Sequence, residues 1–420
     1  MEKVANIFRS LAVILAIAGI APLPVISQNK PKGLKPTVIL ISLDGFRYDY
    51  LDKYSPPTLN RLARGGVRAK WMIPSFPTKT FPNHYTIATG LYPEHHGIVE
   101  NNVWDYDKKF EISNTRRVEE PYWWLGEPIW VTAEKQGQRS ASYFFVGTNT
   151  LIEETKPSIT RRYNGIVPNT MRVDKLLSWF DLPTDTRPTM MTMYFSDTDD
   201  VGHEFGPDAE ETKYAAWEVD SYIARLMAGL KTRKIDDKVN IIIVSDHGMA
   251  AVDQLNAIVM DEFFDPKDKS LADPVLTTGE IWQIFPKPGK EDYLMNRLSG
   301  IKNATCWRKK DIPKRLHYNE GRRIAPIVCS SDEGWYMTDR ERFDKDKDMV
   351  EFPRTKGAHG YDNRYQSMMA TFIARGPAFK KGYSAEPFEN IEVYNIMCKI
   401  LKLKPAKNDG DLDRIKKMLR

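Results

Sequence analysis

Residues 37–45 read Thr-Val-Ile-Leu-Ile-Ser-Leu-Asp-Gly. The first seven form a continuous, β-branched apolar run with no polar alternation. Such a run suits a strand covered on both faces, as in a parallel sheet. It ends abruptly at Asp44, followed by Gly45. Two runs of the same kind recur, Thr189 to Ser196 (TMMTMYFS) and Val239 to Ser245 (VNIIIVS), and a fourth strand is expected over Met368 to Ala374. Helical periodicity lies between them, most clearly from Asp208 to Leu230. There Tyr214, Trp217, Tyr222, Ile223, Leu226, Met227 and Leu230 share one stripe. Strands alternating with helices predict an α/β sandwich around a mostly parallel sheet.

The residues after these strands carry the chemistry. Asp44 follows the first, Asp199-Asp200-Val201-Gly202-His203 the second, and Asp246-His247-Gly248 the third. Gly357-Ala358-His359-Gly360 adds an imidazole in a glycine-flanked loop. In open α/β sheets ligands bind beyond the carboxyl ends of the strands, so these side chains are expected to converge. Each alone is ordinary: an Asp after a strand is commonly a helix cap. Together, three carboxylates and three of the chain's seven histidines make a full ligand set for two zinc ions.

Pro77-Thr78-Lys79-Thr80-Phe81-Pro82-Asn83-His84 supplies a nucleophile candidate. Asn83 to Gly90 reads as a short helix with Pro82 in its first turn. Thr80 then sits at a helix N-terminus, where free N–H groups and the dipole favour anions. A threonine hydroxyl is a weak nucleophile until metal coordination lowers its pKa; without the metal set it reads as a helix cap. Asn101, after a Gly-Pro-rich loop, offers an amide donor for developing charge.

Composition bounds the rest. The chain has 420 residues, 41% of them hydrophobic, enough for a large core. Its net charge of +5 is small and dispersed, so no stable nucleic-acid partner is expected. Lys3 and Arg9, then the apolar run Leu11 to Ala21, then Pro22 and Pro24, read as a signal peptide over residues 1–27. That implies a secreted or periplasmic protein with no membrane span in its mature form. Residues 28–36 read as a linker and 37–409 as the catalytic domain. Within it, about 255–352 is a more irregular insertion, and 410–420 is a basic tail, helical or frayed. Of Cys306, Cys329 and Cys398, two can pair in an oxidising compartment and leave one buried.

The sequence resembles the nucleotide pyrophosphatase/phosphodiesterase family of the alkaline phosphatase superfamily. The matching stretches are Ser42-Leu43-Asp44-Gly45-Phe46-Arg47, Thr78 to Tyr85, Gly90-Leu91-Tyr92-Pro93, Gly126 to Ala133, Asp246-His247-Gly248-Met249, Pro313 to His317, and Glu389 to Asn395. The resemblance implies an alkaline-phosphatase-like sandwich. It implies one zinc on Asp199, His203 and His359, and another on Asp44, Asp246, His247 and the Thr80 oxygen. It further implies attack by Thr80 on phosphorus, a covalent phosphothreonine intermediate, hydrolysis by water, and charge stabilisation by Asn101. The substrate would be a small nucleotide, or another phosphodiester such as a choline-type or lysophospholipid head group, with release of a nucleoside 5′-monophosphate in the first case. Phosphomonoester hydrolysis is a further alternative. Phe81 and Tyr163 resemble the two walls of the family's base slot, and Tyr194 is a third candidate. Two places depart from the family pattern: Phe145-Val146-Gly147 stands where Trp-Pro-Gly is usual, and Ser196-Asp197-Thr198 replaces an acidic-Pro stretch. The chain looks like a bare catalytic domain of bacterial type.

Overall fold

The computed structural model describes residues 31–348 and 354–420. The expected signal peptide, and residues 28–30 of the linker, lie outside the described residues.

Seven strands make the central sheet: β1 Val38–Leu43, β2 Val67–Ala69, β3 Ser140–Tyr143, β4 Met190–Phe195, β5 Asn240–Val244, β6 Phe372–Arg375 and β7 Tyr383–Ala385. Their spatial order is β7-β2-β6-β5-β1-β4-β3. The β1 strand is central, parallel to β4 on one side and β5 on the other. All six of its residues are buried, as the unbroken apolar run requires. Alternate side chains enter opposite cores. Val38 and Leu40 pack beneath the helices α2 (Thr80–Thr89), α3 (Ile129–Lys135) and α7 (Glu392–Leu401). Ile39, Ile41 and Leu43 pack against α1 (Pro57–Gly65), α4 (Asn169–Trp179) and α6 (Glu210–Thr232). Fully burying one such Ile is worth about 1.5–3 kcal/mol.

The fourth expected strand is shorter than its apolar run, and it runs antiparallel to both β5 and β2. Its direction follows from where the chain comes from. The segment enters from the His359 loop at the carboxyl edge of the sheet, so it can only run back. Met368 and Met369 precede the strand in a tight turn, and Gly248 N–H donates to the Met368 carbonyl.

Helix α6 forms where expected, and its stripe holds except at the N-terminal end. Tyr214 and Trp217 are exposed, while Ala215, Ala216, Val219, Ile223, Leu226 and Leu230 face the core. Small residues let α6 lie close to its neighbours; Gly229 leaves no room for a Cβ beside Leu177. Buried Asp220 accepts the Thr58 and Leu59 N–H groups (3.0 and 2.6 Å), thereby capping α1, whose own N-cap residue is a proline.

The irregular segment after Leu255 has its own antiparallel sheet, Ala272–Thr277, Ile281–Pro286, Ile327–Ser331 and Ala304–Arg308. A separate small core includes Met260, Trp282, Ile284, Leu294 and Ile327. Cys306 and Cys329 pair across this sheet, and Cys398 is buried and free. The C-terminal tail is packed rather than frayed: one turn, Leu412–Ile415, buries Ile415, and Met418 is buried beyond it. Among the described residues no helix is long and apolar enough to cross a membrane.

Candidate active site

The site forms at the carboxyl edge of β1, β4 and β5. Asp44 follows β1, and Asp246 and His247 follow β5. After β4 the chain turns into α5 (Asp197–Phe205), which carries Asp199 and His203 four apart, hence on one face. His359 leaves a short strand, Thr355–Ala358, that pairs with Ala250–Asp253 just past His247. All six expected ligand residues therefore come together. Nε2 of His203 lies 3.5 Å from Asp199 Oδ2, and Nε2 of His359 lies 3.6 Å from Asp199 Oδ1. Nε2 of His247 lies 2.9 Å from Asp246 Oδ2 and 3.4 Å from Asp44 Oδ1.

Backbone carbonyls set the tautomers. Nδ1–H of His203 donates to Gly357 O, that of His247 to Gly248 O, and that of His359 to Thr78 O, each at 2.8 Å. Each Nε2 is thereby left with a lone pair aimed inward, the arrangement usual for metal-ligating histidines. Asp44 Oδ1, Asp199 Oδ1 and Asp246 Oδ2 are buried with no hydrogen-bond partner among the described residues. Buried lone pairs facing one another at these distances need a cation between them. Burial, reinforced by Asp246 and Asp199, pushes the Asp44 carboxyl well above the usual range, and burial raises Asp199. Burial opposes ionisation of Asp246 too, but His247 and His84 outweigh it and hold that carboxyl low. His359 is pushed well below its ordinary value by burial and by His247 and Lys79. The donor set of imidazole nitrogen and carboxylate oxygen fits zinc.

Helix α2 begins three residues earlier than the sequence reading, at Thr80. Lys79 is the N-cap residue, so Thr80 is not a cap. Its hydroxyl lies 3.3 Å from His247 Nε2. In the first turn Pro82 has no N–H, Phe81 N–H donates to Asn101 Oδ1 (3.1 Å), and Asn83 N–H closes on Lys79 O. Thr80's own amide is what remains for a ligand. The bond from Phe81 also orients Asn101, whose NH₂ group is left to donate.

A cleft of about 320 Å³ opens from Asp44, Thr80 and Asp199 and is lined by Phe81, Tyr163 and Tyr194. Tyr194 does more than line it: its hydroxyl donates to Asp44 Oδ2 at 2.6 Å, fixing that carboxylate. Tyr163 is half exposed and packs edge-on against Phe144. The departing Phe145-Val146-Gly147 stretch lies in the same wall. Ile112, Thr115 and Glu119, which no motif marked, also line the cleft.

Sequence reading missed His84. It sits one turn after Thr80, with Nε2 on Ser42 Oγ (2.8 Å) and Nδ1 on the Thr80 carbonyl (2.9 Å). Its Nδ1 also lies 3.3 Å from Asp246 Oδ2, so His84 braces the Thr80 turn against that carboxylate and adds an imidazole to the Asp44–Asp246 cluster. Its i, i+4 spacing from Thr80 was the available signal.

The model of the type I phosphodiesterase / nucleotide pyrophosphatase family matches residues 38–362. The chain belongs to this family. A venom phosphodiesterase of Crotalus durissus collilineatus is 40% identical over 386 residues, covering 89% of this chain and 45% of that protein. Ectonucleotide pyrophosphatase/phosphodiesterase family member 3 of Rattus norvegicus is 38% identical over 401 residues, covering 93% of this chain and 45% of that protein. The chain thus spans a little under half the length of these curated phosphodiesterase relatives. Murine ectonucleotide pyrophosphatase/phosphodiesterase 5 superposes with a TM-score of 0.84 at 32% identity, over 91% of this chain and 100% of that one. Another solved structure of that murine protein, an inactive Thr-to-Ala variant in complex with AMP, has the same TM-score at 31% identity, covering 92% of this chain and 100% of that one. The fold is therefore alkaline-phosphatase-like, as in this family's solved members.

Proposed function

We propose that the protein is an exported two-zinc hydrolase that cleaves phosphodiester and pyrophosphate bonds of small nucleotides and releases nucleoside 5′-monophosphates. The observation that carries this reading is the Thr80 hydroxyl 3.3 Å from His247 Nε2, at a helix N-terminus and beside three unpartnered buried carboxylate oxygens. Asp199, His203 and His359 would hold one zinc; Asp44, Asp246, His247 and the Thr80 oxygen would hold the other. Bound there, zinc supplies a lowered hydroxyl pKa and a counter-charge for the phosphoryl group.

The chain's own residues do the rest. Thr80 Oγ forms a bond to phosphorus as the P–O bond to the leaving group breaks. With a nucleotide substrate the nucleoside stays on phosphorus, so the phosphothreonine is a nucleotidyl ester. Water then cleaves the Oγ–P bond and restores the hydroxyl. The Thr80 amide and the Asn101 NH₂ donate to the non-bridging oxygens, where charge builds. Phe81 and Tyr163 hold the base by stacking, with Tyr194 setting the depth of the slot and the orientation of Asp44. The nucleotide class is supported by the aromatic cleft and by the AMP bound in the related murine structure. Export is supported by the charged and apolar pattern of residues 1–27 and by relatives that are venom proteins.

The test is turnover by purified protein of ATP, a nitrophenyl nucleoside diester, a choline phosphodiester and a phosphomonoester. The nucleotides should be cleaved to the 5′-monophosphate. Turnover of the choline substrate or the monoester alone would refute the nucleotide reading.

A further inference from the structure

The segment Thr78 to Phe81 is held on four sides by different parts of the chain. Thr78 O accepts from His359, and Phe81 N–H meets Asn101. The Thr80 hydroxyl meets His247. The fourth tether is Lys79, whose side chain leaves the helix start and enters the irregular segment after Leu255. Its ammonium pairs with Glu280 and donates to the Thr278 carbonyl at 3.1 Å, with both charged side chains almost wholly buried. Thr278 Oγ1 donates to Glu100 Oε1 (3.1 Å), and Glu100 Oε2 accepts the Asn102 N–H (3.2 Å). One hairpin turn, Thr278 to Glu280, therefore touches the residue before Thr80 and, through Glu100, the residues around Asn101.

That turn is itself fixed. Ser331 N–H donates to Glu280 O (2.9 Å) and Met337 N–H to Gly279 O (2.8 Å). The path of Lys79 is equally constrained. Gly360, at φ +124°, would place a Cβ 2.3 Å from Lys79 Cε, so the lysine passes beneath the His359 loop only because residue 360 lacks a side chain. A buried ion pair gives little net stability, so its role is sought in the geometry it fixes.

The geometry points to Lys79 and Glu280 as positioning residues for the nucleophile: the Thr278–Glu280 turn sets the placement of Thr80 against His247 through the Lys79 ammonium. The inference rests on Thr80 being the nucleophile. Neither side chain lines the cleft where substrate enters. Their effect should therefore fall on the chemical step and spare substrate affinity. A misplacement of about 1 Å costs a reaction of this kind roughly 100-fold in rate.

The experiment is steady-state kinetics of the zinc-loaded protein with a nitrophenyl nucleoside diester, on Glu280→Gln, Lys79→Met, Lys79→Arg and the double variant Lys79→Met/Glu280→Met, alongside Thr80→Ala. Glu280→Gln and Lys79→Met should each lower kcat by about 10- to 100-fold with KM within about twofold. The double variant should lose no more than either single one, since the two act as a unit. Lys79→Arg should recover most of the rate. A wild-type kcat in Glu280→Gln overturns the inference, whether or not its melting temperature falls. So does a rise in KM with kcat unchanged, which would make Lys79 a binding group. If the Lys79 variants do not fold, the isosteric Glu280→Gln and a Thr278→Val variant decide by the same criterion. An inactive Thr80→Ala beside a fully active Glu280→Gln refutes only this inference. An active Thr80→Ala refutes the underlying role of Thr80.

Discussion

Tyr194 donates its hydroxyl to Asp44 Oδ2 at 2.6 Å, so one ring both walls the candidate cleft and fixes a carboxylate of the candidate metal site. Binding and metal chemistry share a residue here, and their loss can be separated only by measuring both. Tyr194→Phe keeps the ring and removes the donor. We expect it to weaken zinc affinity by roughly 10- to 100-fold, the usual cost of losing an outer-shell partner, while KM changes little. Zinc competition with a chromogenic chelator, beside KM for a nitrophenyl nucleoside diester, checks this.

The slot makes the opposite prediction. Phe81→Ala or Tyr163→Ala removes a stacking face worth about 1–3 kcal/mol per base. KM for a nucleoside diester should rise by roughly 5- to 150-fold, while turnover of bis(nitrophenyl) phosphate, which has no base, stays near wild type. Equal losses on both substrates would place these rings outside base recognition.

Metal binding should release protons. In the metal-free protein burial holds Asp44 and Asp199 above their ordinary pKa, and Asp246 raises His247 against the effect of its burial. Protons retained on these groups must leave when a cation arrives. The sign follows: apparent zinc affinity climbs as pH rises through the raised carboxyl and imidazole values, then levels. Calorimetric titration of chelator-treated protein in buffers of different ionisation enthalpy reads the number released. No proton release at any pH at which the folded protein binds zinc would contradict the site's electrostatics.

Asp220 predicts a stability effect without a catalytic one. It is buried and caps α1 by accepting two backbone N–H groups, and it is neither a candidate ligand nor a residue of the cleft. Asp220→Ala should cost about 1–3 kcal/mol, the loss of a cap plus two stranded donors. Denaturant unfolding would show it, with kcat unchanged below the transition.

Much of this arrangement was legible from local pattern. Unbroken apolar runs located β1, β4 and β5, and polar residues just beyond them supplied the candidate ligands that the fold brings together, because strand ends in such sheets share one edge. Pro82 and the helix that follows placed Thr80 near a helix N-terminus, although the helix begins at Thr80 itself and not at Asn83. The stripe on α6 was read correctly at Ile223, Leu226 and Leu230 but not at its N-terminal end, where aromatic bulk was weighed above small size; close packing favoured Ala215 and Ala216, and Tyr214 and Trp217 were left exposed. The ties of Thr78 to His359 and of Lys79 to Glu280 join residues some 200 or more positions apart. No local period or spacing encodes them, and only the folded chain shows them. The direction of β6 was hidden for the same reason, since it depends on the route of the preceding loop.

The central claim is that Thr80 oxygen becomes bonded to phosphorus during turnover. The direct measurement is mass spectrometry of the Thr80 peptide after acid quench of zinc-loaded protein mixed with a nitrophenyl nucleoside diester. The account predicts a nucleotidyl adduct on Thr80 that forms within one turnover, decays as 5′-monophosphate appears, and is absent from Thr80→Ala, which also loses turnover. Undiminished turnover in Thr80→Ala, or an adduct on any other residue, would contradict it.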